Sequence, residues 1–173
     1  MANLKFLPLL IFSIIFFFSI QSHASESLIE QTCKNTPHES LCLQYMKSDP
    51  GSSQADVTGL ALIMVDAIKA TAQQAQTKIQ QELEKGHGSE TEKRALNSCA
   101  ERYRAVVEGD VPEAIEALQK GDPKFAEQGA NDAALEATSC ETSFSSGKSP
   151  LTQQNNAVHD VAQVAAAIVT NLL

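Results

Sequence analysis

Between about residues 56 and 85, Val57, Leu60, Met64, Ile68, Thr71, Ala75, Ile79 and Leu83 recur at steps of three or four. That spacing draws a mostly apolar stripe along one face of a helix. At a rise of about 1.5 Å per residue such a helix is about 45 Å long. A stripe of that length can be buried only against other helices of similar length. The rest of the chain supplies them. A second segment, about 89–119, places Leu96, Cys99, Tyr103 and Val106 on one face, and Ile115 and Leu118 resume the stripe. Between them Gly109 and Pro112 predict a kink or break. A third helix is expected from about 124 to 144. The fourth runs from about 152 to 172, with Val158, Val161, Ala165, Ile168 and Leu172 as its seam. Gly86-His87-Gly88, Gly121-Asp122-Pro123 and the turn-rich stretch 145–150 punctuate them. Four such segments joined by short links predict an all-α, antiparallel up-down-up-down four-helix bundle.

Two shorter elements precede the bundle, one at about 26–34 and one from Pro37 to about Lys47, with Thr36 as the expected N-cap of the second. They read as a helical hairpin over 25–50, followed by the bundle over 55–173 within one domain, 25–173. Residues 1–24 are different in kind. Lys5 is their only charge, the run from Phe6 to Ile20 is almost wholly apolar, and Ser22 and Ala24 are small residues at −3 and −1 of a cut after Ala24. These are the parts of a signal peptide, and the run is short of the roughly 20 residues that span a bilayer. The expected destination is the secretory pathway, ending outside the cell or in a vacuole.

Removal of that leader leaves 12 Lys and Arg against 21 Asp and Glu, a formal charge of −9. Such a balance argues against nucleic acid and against anionic membranes as partners. All four cysteines, Cys33, Cys42, Cys99 and Cys140, lie beyond the leader. An even number behind a secretory signal implies two disulfides, and four cysteines permit three pairings. No CxxC or HExxH spacing occurs, and His38, His87 and His159 are scattered, so no metal site is expected. No Gly-x-Ser-x-Gly elbow is present either. With no catalytic constellation and no cofactor motif, the chain reads as a binding protein, not an enzyme.

The segment richest in local information is Gly121-Asp122-Pro123-Lys124-Phe125-Ala126-Glu127. It sets a cation and an aromatic beside a rigid proline at a helix start. Asp122 is the expected N-cap and Pro123 the first helical residue. Read by pattern alone, this is a capped helix with Phe125 in the core and Lys124 solvated.

A resemblance gives the segment another meaning. Thr32-Cys33-Lys34-Asn35-Thr36-Pro37, Leu41-Cys42-Leu43, the run from Leu60 to Lys69, Pro112 to Leu118 and Ala167-Ile168-Val169 resemble the plant invertase inhibitor and pectin methylesterase inhibitor superfamily. The similarity covers essentially all of the chain after the leader. It implies a four-helix bundle behind a helical hairpin, with bridges Cys33–Cys42 and Cys99–Cys140. Pro123-Lys124-Phe125, flanked by Asp122 and Glu127, looks like the motif of the invertase branch. The resemblance therefore implies an inhibitor of plant acid invertase, a β-fructofuranosidase, that fills the sucrose site with these residues. A pectin methylesterase inhibitor is the nearest alternative. A secreted enzyme or carrier with a pocket inside the bundle is a third. The sequence leaves oligomeric state open.

Overall fold

The computed structural model describes residues 28–86, 88–144 and 149–173, so the expected leader lies outside the described residues. Helical backbone over 28–34 (α1) and Glu39–Ser48 (α2) forms the hairpin, and a 3-10 turn, Ser52–Gln54, follows. The long helices are Val57–Glu84 (α3), Glu90–Ala105 (α4), Val111–Lys120 (α5), Pro123–Thr142 (α6) and Thr152–Thr170 (α7). Helix α3 starts where the Asp56 carboxylate accepts from the Gly59 amide at 2.8 Å. Ser89 caps α4 in the same way, accepting from the Glu92 amide at 3.2 Å. Six of the eight stripe positions on α3 are buried, from Leu60 to Ile79; Val57 and Leu83 at the ends are half-buried.

The bundle closes as a ring: α3 packs on α7 and on α4 and α5, and α6 packs on α7 and α5. Helices α3 and α6 barely meet and form a diagonal. Helix α6 turns small residues inward, Ala126, Gly129, Ala130, Ala133, Ala134 and Ala137. They let it approach its neighbours closely: a Cβ on Gly129 would lie 2.8 Å from the Asp110 carbonyl oxygen and 3.2 Å from the Ala114 Cβ.

The kink expected near Gly109 and Pro112 is a π-turn, Val106–Asp110, set between α4 and α5. Pro112 has no amide hydrogen, and its ring crowds the carbonyl four residues back. The wider turn absorbs both problems: the Val111 amide donates to Val106, five residues earlier. Val106 and Val111 are both buried, so core packing fixes each end of the turn. Helices α4 and α5 thus act as one interrupted rod, the second member of the four-helix set.

The disulfides are Cys33–Cys42 and Cys99–Cys140, all four residues fully buried. The first closes the hairpin; the second ties α4 to α6 beside the Arg102–Glu136 ion pair at 2.7 Å. One expectation needs correction in the hairpin. Thr36 does not cap α2. Its hydroxyl donates backward to the Cys33 carbonyl at 2.7 Å, finishing α1, and α2 begins at Glu39 with no side-chain cap. The hairpin rests on α3 and α7, where His38 Nε2 lies 3.2 Å from Gln163 Oε1 and 3.5 Å from Asp160 Oδ1. No described helix is long and apolar enough to cross a membrane.

Candidate interaction surface

Helix α5 ends at Gly121, whose φ of +75° is the left-handed conformation that glycine adopts without strain. The Gly121 amide donates to Leu118 and the Asp122 amide to Ala117 at 2.8 Å. These paired bonds are the Schellman closure of a helix. Pro123 then opens α6 with its backbone already at a helical φ. A turn of two residues, closed on one side by paired hydrogen bonds and on the other by a proline, has little freedom left. Pro123 is half-buried against Thr58 of α3, Leu118 of α5 and Leu172 near the end of the chain, around a groove of about 190 Å³.

Lys124 and Phe125 point outward from this frame. Phe125 is 62% exposed, so the placement of its ring in the core is overturned. The physical reason is the helix phase. Ala126, Gly129 and Ala130 take the inward positions at this end of α6, and Phe125 lies about 100° round the helix from Ala126. Lys124 is also exposed. The Asp122 carboxylate accepts no capping hydrogen bond, although Asp122 occupies the cap position. Glu127 is half-buried, and its Oε1 accepts from Thr170 Oγ1 of α7 at 3.1 Å. Of the five expected contact residues, Asp122, Lys124 and Phe125 are presented; Pro123 and Glu127 are engaged in holding them.

Beside the Phe125 ring lies a groove of about 220 Å³ lined by Glu113, Glu116, Ala117, Lys120 and Asp122. The four α5 residues follow an i, i+3, i+4, i+7 spacing, which puts them on one helix face. Glu116 pairs with Lys120, and the pair pushes the carboxyl down and the ammonium up from their ordinary values. From the sequence, none of the α5 acids was singled out. Their common spacing over the two turns before Gly121 was the available signal.

Other polar features are committed to the fold. Tyr103 is fully buried and its hydroxyl donates to Asn155 Oδ1 at 2.6 Å. Asn155 in turn donates to Glu141, which also accepts from Thr152 Oγ1 at 2.6 Å. Burial, reinforced by the nearby Glu141 charge, pushes the phenol well above its ordinary range and keeps it protonated. The opening beside Glu141 and His159 measures about 150 Å³. All three grooves fall below the roughly 300–1,000 Å³ of typical small-molecule sites. Among the described residues, no group of three or more His, Cys, Asp or Glu is placed to hold a metal ion.

Comparison with known proteins addresses the chain as a whole. A family model described as plant invertase/pectin methylesterase inhibitor matches residues 27–168. The chain is 46% identical over 143 residues to the "cell wall / vacuolar inhibitor of fructosidase 1" of Arabidopsis thaliana, covering 82% of this chain and 67% of the relative. A "pectinesterase inhibitor" of Actinidia deliciosa is 30% identical over 153 residues, with 87% and 81% covered. Among solved structures, a mutant form of a pectin methylesterase inhibitor from Arabidopsis matches with a TM-score of 0.67 at 24% identity, over 80% of this chain and 92% of that one. That likeness shows the shared fold.

Proposed function

The chain belongs to the plant invertase/pectin methylesterase inhibitor family, and we propose that within it this protein inhibits an acid invertase through Lys124 and Phe125. The family is one of enzyme inhibitors, not enzymes. The 46% identical relative is an inhibitor of fructosidase, which supports the choice of target. The observation that carries the mechanism is the outward presentation of Lys124 and the 62% exposed Phe125 on a turn with little freedom. The relative's name supports the cell wall or the vacuole as the place of action.

Retaining glycosidases work with a carboxylate nucleophile and a carboxylic acid/base about 5–5.5 Å apart. The Lys124 ammonium enters the space sucrose occupies and faces those carboxylates. Phe125 buries its ring at the pocket rim. Because the Gly121-Asp122 turn and Pro123 are already ordered, little conformational entropy is lost on docking. Glu127 keeps the first turn of α6 anchored to α7. No bond in this chain is made or broken.

Inhibition of acid invertase and of pectin methylesterase, measured side by side, tests the target. Inhibition of the first alone is expected; inhibition of the second alone overturns the reading. Lys124→Ala and Phe125→Ala test the segment. Each is expected to weaken inhibition by at least tenfold with helicity and Tm unchanged. Wild-type potency in both variants removes the segment from the mechanism.

A further inference from the structure

The groove on the α5 side of Phe125 bears two carboxylates, Glu113 and Asp122, that close no ion pair, although Lys120 feels the Asp122 charge. Glu116 is satisfied by Lys120. Among the described residues, Glu113 and Asp122 form no ion pair, and both are exposed. Ala117 and Phe125 supply the apolar part of its lining. With Lys120 counted, the groove carries a formal charge of −2, from three acids and one base. Its volume of about 220 Å³ suits one long side chain and is small for a sugar or a cofactor.

A protein surface that covers Phe125 and fills the groove beside it draws water away from Glu113 and Asp122, which share its lining. A carboxylate buried without a partner loses more in hydration than an aromatic contact returns, so the covering surface must bring a cation. We propose that the target invertase inserts an arginine of its pocket rim into this groove. The guanidinium lies flat on the Phe125 ring and donates to Glu113 on one side and Asp122 on the other. Arginine suits the groove better than lysine because its planar, weakly hydrated head stacks on aromatic faces and offers five donors in a fixed fork. The contact alternates with the neighbouring one: a cation of the inhibitor, Lys124, meets acids of the enzyme, and acids of the inhibitor meet a cation of the enzyme. Lys124 and Phe125 sit about 100° apart round α6, so the two contacts point in different directions and together fix the orientation of docking. The inference rests on the inhibitor reading above and names the partner chemistry of the same surface.

The experiment measures inhibition of purified acid invertase by Glu113→Gln, Asp122→Asn, Glu113→Lys and, as a control, Asp66→Asn on the exposed face of α3. Glu113→Gln and Asp122→Asn are each expected to weaken inhibition about tenfold, Glu113→Lys about a hundredfold, and Asp66→Asn less than twofold. All four are expected to keep the wild-type Tm. Arginine footprinting of the invertase with phenylglyoxal adds a direct readout: one arginine is protected by wild-type inhibitor and reactive again when Glu113→Lys is added instead. Wild-type potency in Glu113→Gln and Asp122→Asn overturns the proposal. So does an equal loss in Asp66→Asn, which would report overall charge, or the absence of any protected arginine. If Lys124→Ala and Phe125→Ala abolish inhibition while the groove variants do not, only this inference falls. If Lys124→Ala and Phe125→Ala inhibit normally, the inhibitor mechanism falls with it.

Discussion

Helix α6 meets the interrupted α4–α5 rod at two levels that use similar side chains in opposite ways. At the waist, Arg102 is paired with Glu136, Cys99 is bonded to Cys140, and Gly129 presses on the backbone at Asp110. These contacts are internal to the bundle. At the tip, Asp122, Lys124 and Phe125 stand in solvent on a backbone fixed by Gly121 and Pro123, with Glu113 exposed on the facing side of α5. The difference teaches which substitutions report on folding and which on recognition. On the proposed reading, change at the waist is felt as stability, and change at the tip as affinity.

The largest expected effect is at the waist. Cys99 and Cys140 close a loop of 41 residues in sequence separation, against 9 for Cys33 and Cys42. Loop-closure entropy then assigns about 4 kcal/mol to the first bridge and about 2.7 kcal/mol to the second. Urea unfolding of the Cys99→Ser/Cys140→Ser pair should show the greater loss. Inhibition per folded molecule should survive it, since the α5–α6 turn is closed by its own hydrogen bonds. A larger loss from removing the hairpin bridge would invert the order of the two regions.

Next comes Gly129→Ala. The added methyl would meet a backbone oxygen at 2.8 Å, and neither that carbonyl nor the Ala114 methyl can step aside without moving the π-turn. Overpacking of this kind costs about 1–3 kcal/mol. Gln128→Ala, one residue away on the exposed face, should stay within about 0.5 kcal/mol of wild type. Equal stabilities in chemical denaturation would mean that α6 does not sit as close to α5 as the small-residue face indicates.

At the tip the same scale moves to binding. Truncating an aromatic anchor buried in an interface costs about 2 kcal/mol, which is about thirtyfold in affinity. Phe125→Ala should therefore lose about that much inhibition while unfolding within about 0.5 kcal/mol of wild type. Loss of stability instead would place Phe125 among the waist-type residues and erase the distinction.

What the sequence could tell divides along the same line. The bundle was legible because the stripes from Leu60 to Ile79 and from Val158 to Ile168 are long, and periodicity over many turns has few alternatives. The interruption near Gly109 was legible from Pro112, though not its form: only the tertiary anchoring of Val106 and Val111 selects a π-turn over a sharp bend. Phe125 was misplaced by pattern because an aromatic after a cap and a proline normally faces the core. Its phase is set by the alanines that follow it, Ala126 and Ala130, whose small size hides their role as the buried face. Glu113 was invisible because its meaning depends on Phe125, twelve residues later and on another helix.

The smallest expected effect concerns Asp110, whose backbone oxygen faces Gly129 at the waist. Its carboxyl is pushed up from 3.8 to about 6, chiefly by burial, then by the charges of Asp132 and Glu136 on α6 and Glu113 on α5. One of its oxygens, Oδ2, is buried without a hydrogen-bond partner among the described residues. In the unfolded chain the group ionises near 4, so between about pH 4 and pH 6 the folded state holds more protons than the unfolded one. Stability must then fall as pH rises through that window, the opposite of a carboxylate held by an ion pair. The side chain is only half-buried, so solvent screening reduces the effect to about 1 kcal/mol. Asp110→Asn should remove it. The difference in unfolding free energy between variant and wild type should grow by about 1 kcal/mol in the variant's favour from pH 4 to pH 7, then level off. A flat difference across that range would show that Asp110 ionises in the folded protein as it does in the unfolded chain. For a protein proposed to work in the cell wall or a vacuole, the sign matters: acidity relieves the Asp110 carboxyl, whose Oδ2 has no hydrogen-bond partner among the described residues.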